Sequence, residues 1–413
     1  MDSNSSSGGP RARDLVMNHI QICLRFIELL VQMFRVLASR RRRVERTYEL
    51  GYDKHRQIIH NLVYKSDETC YKMLRMRRKP FEKLRDMLYE HGKLRDKRCV
   101  LVDEHLAITL HILGHNIRNR VISTWFQRSG EIVIKVFRRT IRALIRLQRM
   151  LLKHPVPIGP EENDLRWSYF QGCLGAIDGT HIPIIVRNNQ KARFRCRKGF
   201  PTMNVMCACT PSKLITYILS GWEGSAADGR ILRDALSRRN GLKVPNDNYY
   251  LVDAGYSNCQ WFLAPFRGQR YHLSEWASGN HPAQTPEEVF NIRHAKARNI
   301  IETCFGALKQ RWAVLRSPCF YDVKMTTLII IACAVLHNFL TMEVPDDLLD
   351  TVVVEGKSWG QDDASNEPLK SSPSGDKRSV DCISQQPSHR YDMTSNWKWY
   401  TVFCGWDLGV YGT

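Results

Sequence analysis

The chain is 413 residues long, 43% hydrophobic and 25% charged, a globular balance that excludes wholesale disorder and leaves room for two domains. Its formal net charge of +20 is unevenly spread: Val344–Thr413 carries −5, so the first 343 residues carry +25 and favour polyanionic partners, nucleic acid first among them. The 13 cysteines are scattered and include no C-x-x-C pair, which leaves a zinc ribbon or finger without ligands. With no secretory signal they read as reduced, mostly buried thiols of an intracellular protein.

Four segments follow one another. Residues 1–64 form a leader whose stretch Leu15–Ala38 is apolar enough to raise a membrane span. His19, Gln21, Arg25, Glu28, Gln32 and Arg35 interrupt it, whereas a span needs about 20 nearly uncharged residues. The expectation is an amphipathic helix packed on a partner or on the domain behind it, with no membrane role. Arg40–Arg43 and Arg46 then read as a nuclear-import or phosphate-binding patch, or as a plain solvated charge run. A nuclear location is expected.

Residues 65–155 are helical by pattern. Asp103–His115 offers Leu106, Leu110 and Ile112 as a short amphipathic helix, and a second short helix is expected near Arg120–Phe126. Gln127–Gly130 makes a turn in which Ser129 is placed as an N-cap, with Glu131 in the first turn where an acid suits the helix dipole. Ile132, Val133, Val136, Phe137, Thr140, Ile141 and Leu144 recur at helical spacing, and Lys135, Arg138, Arg139, Arg142 and Arg146 take the opposite face. A short helix, a tight turn and a helix with a basic face outline a helix-turn-helix DNA reader. A helical bundle with a solvated basic face has the same pattern.

Residues 157–342 alternate strand-like and helix-like stretches and hold the chemistry. The run Gly172–Ile177 is strand-like and ends on Asp178-Gly179-Thr180-His181, and Tyr249–Val252 delivers Asp253 before Ala254-Gly255. A carboxylate at the end of a buried apolar strand is costly unless it is paired or binds a cation. Neighbouring strands ending alike would bring both acids to one site. On the helical stretch Val289–Leu315, residues Ile301, Phe305, Leu308, Trp312 and Leu315 form a stripe, with Glu302 on its edge. Two strand acids and one helix acid suit a pair of magnesium ions, which can hold the attacking and leaving oxygens of a phosphodiester. Each acid also has an ordinary structural use: Asp178 and Asp253 can cap their Gly-containing turns, and Glu302 can pair with Arg298 at i−4. Ser225 and Asp228 have capping-box spacing, and a helix start beside the site would place Asp228 near the metals. Residues 344–413 are rich in Ser, Asp and Pro and are expected to be a polar, mostly disordered tail, with an aromatic close at Trp397–Tyr411 that the pattern does not explain.

The stretch from about Cys173 to Leu340 resembles the nuclease domain of Harbinger-type transposases and Harbinger-derived nucleases. The resemblance rests on Leu174–His181, Gly221–Ser225 with Asp228, Leu251–Tyr256, Phe262–Gly268, Phe290-Asn291, Arg293-His294, Arg298–Lys309 and Leu336–Asn338. It implies an α/β fold of the ribonuclease H-like kind, a mixed five-stranded sheet with flanking helices, preceded by an all-α helix-turn-helix-like region. It further implies a DDE triad at Asp178, Asp253 and Glu302 that binds Mg2+ or Mn2+ and cuts DNA by a two-metal mechanism. A homo-oligomer acting on paired DNA ends, and a separate Myb-like DNA-binding partner, are also implied. Within this reading Asp228 and Arg298 support the triad, and Arg298 and Lys309 are placed to meet phosphate. The alternative is a domesticated, catalytically silent DNA- or chromatin-binding protein; such proteins can lose a triad acid, and here all three are present. The tail after Met342 and the helix at Leu15–Ala38 have no counterpart in the resemblance.

Overall fold

The computed structural model describes residues 12–97, 100–271, 273 and 283–345, and within the first helix the side chains of 17, 19–35 and 53–59. The expected polar tail, its aromatic close and the arginine side chains at 40–43 thus fall outside what is described. The chain divides into two units, Met1–Asn61 and Leu62–Thr413.

The described residues of the first unit form one helix, α1 (Ala12–Ile59), 48 residues long, which passes into a π-helical turn at His60. It runs unbroken through the four-arginine block, because no Pro or Gly interrupts the sequence between Ala12 and Leu50. All its described side chains between Met17 and Arg35 are exposed.

The second unit opens with helices α2 (Asp67–Leu74), α3 (Arg78–Glu90), α4 (Val102–His115), α5 (Asn119–Trp125), α6 (Gly130–Arg146) and the single turn α7 (Gln148–Leu151). The helix α4 is not the amphipathic helix its pattern suggests. From Glu104 to Gly114 every residue is buried, since α2, α3, α5 and α6 all pack against it. Burying Glu104 requires a partner, and Arg128 provides it: Nε and Nη2 donate to the two carboxylate oxygens at 2.6 and 2.7 Å. Arg128 lies in the turn between α5 and α6, so this pair ties the turn to the centre of the bundle. Ser129 caps α6 by accepting from the Ile132 N–H at 3.3 Å, and Val133, Val136, Phe137, Thr140, Ile141 and Leu144 form the buried stripe.

A five-stranded mixed sheet follows, in the order β3-β2-β1-β4-β5, built from β1 (Cys173–Pro183), β2 (Thr202–Cys209), β3 (Ile215–Glu223), β4 (Tyr249–Leu251) and β5 (Phe262–Leu263). The strands β1, β2 and β3 run antiparallel in turn, while β4 pairs parallel with β1 and β5 parallel with β4. The short helix α8 (Lys191–Phe194) lies between β1 and β2, and α9 (Asp228–Ser237) follows β3. Two long helices, α10 (Pro286–Arg311) and α11 (Val323–Glu343), complete the unit.

Side chains alternate across the sheet, so each face has its own cover. Leu174, Met206, Ala208 and Leu219 pack with Ile231, Leu232 and Ala235 of α9. Cys207 and Cys209 point the other way, toward Cys304 of α10. The apolar helix α11 is long enough to cross a membrane by length and composition, but it lies buried within the protein against β3 and α6. Its Asn338 accepts from the Ile215 N–H at 2.8 Å and donates to the Ile215 and Leu151 carbonyls at 2.7 and 2.9 Å, satisfying the outer start of β3. Gly175 has φ +135°, and a Cβ there would fall 1.9 Å from the Cys209 carbonyl oxygen, so only glycine permits this approach of β1 to β2. The ten described cysteines are free thiols, eight of them buried.

Candidate active site

The strand β1 does not stop at Asp178, as its sequence suggests, but continues to Pro183, because β2 keeps pairing with it down to Thr202. What ends near Asp178 is the other neighbour. The last β1–β4 pair is Ala176 with Leu251, so two residues further along each parallel strand come Asp178 and Asp253. Both acids thus emerge where the ladder between β1 and β4 opens. Each also caps its own turn: Asp178 Oδ1 accepts from the Gly179 N–H at 2.8 Å, and Asp253 Oδ1 from the Ala254 N–H at 2.6 Å.

Asp178 pairs across the ladder with Cys207 and so shares the sheet face covered by α10. That helix starts with Thr285 as N-cap and Pro286 in its first turn, and the stripe Ile301, Phe305 and Leu308 is buried. Trp312 and Leu315, expected to extend the helical stripe, are buried in the turn after the helix, which ends at Arg311. Glu302 lies at the edge of the stripe, and one turn before it Arg298 reaches across to the sheet. Its Nη1 donates to Asp178 Oδ2 at 2.8 Å, its Nη2 to Glu302 Oε1 at 2.5 Å and its Nε to the Tyr271 hydroxyl at 2.7 Å. The i−4 pairing of Glu302 with Arg298 is therefore present, but at a largely buried arginine that also holds a strand acid 120 residues away.

The electrostatics follow from this crowding. Burial pushes Asp178 up to about 6, with Asp253 and Glu302 adding repulsion and Arg298 and the Gly179 N–H opposing it. Burial disfavours the charged Arg298, yet Asp178, Tyr271, Glu302 and Asp253 outweigh it and hold the guanidinium charged. Lys309, two turns beyond Glu302 on α10, donates to Thr180 Oγ1 at 2.7 Å and to the His181 carbonyl at 3.3 Å, and burial lowers it to about 8.

The expected capping box at Ser225 and Asp228 does not form. The helix α9 begins at Asp228 itself with Ala227 as N-cap, and the Ser225 hydroxyl donates to the Arg193 carbonyl instead. Asp228 lies on the α9 side of β1, on the sheet face opposite Asp178: a Cβ on Gly179 would come within 2.9 Å of Asp228 Oδ1. Asn204 Nδ2 donates to that same oxygen at 3.0 Å. Tyr256, pushed well above its ordinary value mainly by burial, feels Asp228, Asp178 and Asp253 together. Tyr256 closes the block Leu251–Tyr256 but carries no role there, and Asn204 and Tyr271 escape a reading by motif. A lone Asn in the apolar strand Thr202–Cys209 is the signal that marks Asn204.

The basic residues of α6 divide. Arg138, Arg139 and Arg142 are exposed, and Lys135 is exposed but paired with Glu131 at 2.5 Å. Arg146 departs from the expected solvent-facing set, turning inward to donate to the Gly92 carbonyl at 3.0 Å, because it sits on the last turn of α6 where α3 ends nearby.

Three carboxylates are hard oxygen donors suited to a divalent ion, and the repulsion and burial that raise Asp178 are what a bound cation relieves. Among the described residues no three His, Cys, Asp or Glu side chains already form a metal-ready cluster; Arg298 stands between Asp178 and Glu302. The donor chemistry fits a divalent ion, with Arg298 as the group that must yield.

Residues 177–338 match the DDE superfamily endonuclease family, and residues 53–146 match a family described as a domain of unknown function. The chain is 24% identical over 268 residues to "Protein ALP1-like" of Arabidopsis thaliana, covering 60% of this chain and 63% of that protein. It is 27% and 26% identical over 172 residues to "Putative nuclease HARBI1" of Rattus norvegicus and Homo sapiens, covering 40% of this chain and 45% of each relative. The match thus spans less than two thirds of these relatives. No solved structure matches the chain. DDE superfamily endonucleases generally use divalent metals, and a five-stranded mixed sheet flanked by helices is compatible with that fold. Residues 177–338 are a DDE superfamily endonuclease domain, homologous to the ALP1-like and HARBI1 proteins.

Proposed function

We propose that the protein is a metal-dependent DNA endonuclease of the transposase type, with a ribonuclease H-like catalytic domain and Asp178, Asp253 and Glu302 as its metal-holding acids. One observation carries this reading. Two adjacent parallel strands and a helix separated from them in sequence place Asp178 and Glu302 on one guanidinium with Asp253 close enough to repel Asp178, at the cost of pushing Asp178 up to about 6. A fold that wanted only an ion pair had no need of a third acid.

Bound there, magnesium or manganese would polarise a phosphodiester and lower the pKa of an attacking water. The protein's own residues have separate tasks. Asp178 and Asp253 hold their orientation through the Gly179 and Ala254 N–H groups, leaving the second oxygen of each for other partners. Arg298 yields one or both acids and, still anchored to Tyr271, remains beside the site as a counter-charge for phosphate. Lys309, tethered to Thr180, is a second cation on the same helix face. Asp228, held by Asn204 of β2, lies behind β1 at Gly179.

Residues of the helical region would bind DNA with the exposed Arg138, Arg139 and Arg142, with Lys135 contributing after release from Glu131 and Arg146 from its inward position. The segment from α5 to α6 is proposed as the helix-turn-helix. A nuclear location, a Myb-like partner and an oligomer on paired ends belong to the same proposal.

A second reading is favoured by the Arg298 pairs themselves: acids so fully engaged also suit a silent, domesticated DNA- or chromatin-binding protein. Cleavage of labelled duplex DNA separates the two, using wild type and the triple variant Asp178→Ala, Asp253→Ala, Glu302→Ala with Mg2+ or Mn2+. Nicking that is lost in the variant and with chelator supports the nuclease. Equal DNA binding by both proteins without nicking supports the silent reading.

A further inference from the structure

The helix α1 holds a pattern that the endonuclease domain does not use. Between Val16 and Leu37 the polar residues Asn18, Gln21, Arg25, Glu28, Gln32 and Arg35 follow one another at alternating spacings of three and four. In a seven-residue frame they occupy two positions only, and His19 is the single polar residue elsewhere in the segment. The other five positions are apolar through three heptads. Eleven large apolar side chains between Met17 and Phe34 are exposed. A stripe locked to a 3.5-residue period keeps facing one direction only if the helix supercoils around another, since a straight helix drifts by about 20° per heptad. An isolated apolar surface of this extent also has no reason to stay in water.

We infer that this face is a coiled-coil interface between copies of this chain, independent of the activity proposed for the other unit. Knobs-into-holes packing needs a partner of the same period, which an identical helix supplies by construction. The positions flanking the seam carry apolar side chains rather than the charges that select a different partner. The area suffices as well. The apolar five-sevenths of a cylinder about 10 Å across and about 33 Å long is on the order of 700 Å² per copy, near the ~800 Å² per partner of a standard stable interface. A bilayer is the weaker occupant, because Arg25 and Glu28 fall near the middle of the segment, where hydrocarbon would be deepest.

The test is the mass of the full chain in solution at micromolar concentration, by light scattering and sedimentation. Wild type is expected at a multiple of 48.0 kDa. The double variant Ile27→Asp, Phe34→Asp, altering the middle of the apolar face, is expected to fall to the monomer. The variant Gln21→Glu, Gln32→Glu, on the polar stripe, is expected to keep the wild-type mass, which separates loss of the interface from loss of the helix. The inference is overturned if wild type is monomeric, if the Asp variant keeps the wild-type mass, or if both variants dissociate alike. It is also overturned if wild type floats with phosphatidylcholine–phosphatidylserine vesicles and the Asp variant does not.

Discussion

Arg298 and Asp178, 120 residues apart in sequence, meet at 2.8 Å across the gap between α10 and the sheet, and the same guanidinium holds Glu302. The arginine is therefore both the support of the acids and the competitor of any cation they bind. Replacing it with methionine, which keeps a long stem and no charge, is expected to raise Mn2+ affinity, read by electron paramagnetic resonance or calorimetry. Nicking is expected to fall because phosphate loses its counter-charge. Unchanged Mn2+ affinity would remove Arg298 from the metal site.

Proton binding gives a second check. Asp178 lies at about 6 in the folded protein against an ordinary 3.8, so the fold holds this proton more tightly than the unfolded chain does. Its contribution to stability is fully present below the ordinary value and lost as pH rises through about 6. In the presence of chelator, Asp178→Asn is expected to gain melting temperature relative to wild type between about pH 4 and about pH 6, with the gain levelling off above about pH 7. A difference that stays flat over that window would mean Asp178 is not under this strain.

The buried pair of Glu104 and Arg128 fixes the turn between α5 and α6, each side chain 5% exposed. Arg128→Ala leaves an uncompensated buried carboxylate and is expected to cost about 3–5 kcal/mol in denaturant unfolding. The double variant Glu104→Leu, Arg128→Met is expected to recover much of that loss. Recovery of stability without recovery of DNA binding would show that the pair serves the turn's geometry.

Salt dependence tests the basic face of α6. If Arg138, Arg139 and Arg142 each neutralise a phosphate, their replacement by Ala lowers the log–log salt slope of duplex binding by about 0.9 per lost contact. An unchanged slope would place the DNA contact elsewhere.

Much of this is legible in the sequence. The cap at Ser129, the buried stripe of α6, and the placing of Asp178 on a strand and Asp253 just after one follow from local pattern, since each is fixed by residues close in sequence, whereas the parallel pairing that makes those strands neighbours is set by the sheet. Glu302 at the edge of its stripe was equally readable. What pattern could not carry was tertiary in origin. The full burial of α4 depends on four helices around it, so its short apolar pattern understates it. β1 runs past Asp178 because of pairing with β2, a relationship invisible in β1 itself. The apparent capping box at Ser225 gives way to a bond to Arg193 and to contact of Asp228 with Asn204. Tyr271 and Asn204 matter only through partners far along the chain.

Asn338 takes both backbone groups of Ile215 at the outer start of β3. An open strand border of this kind is where one sheet can extend into another and seed aggregates. With its first residue occupied from within, β3 offers a neighbouring sheet a shorter border on which to pair.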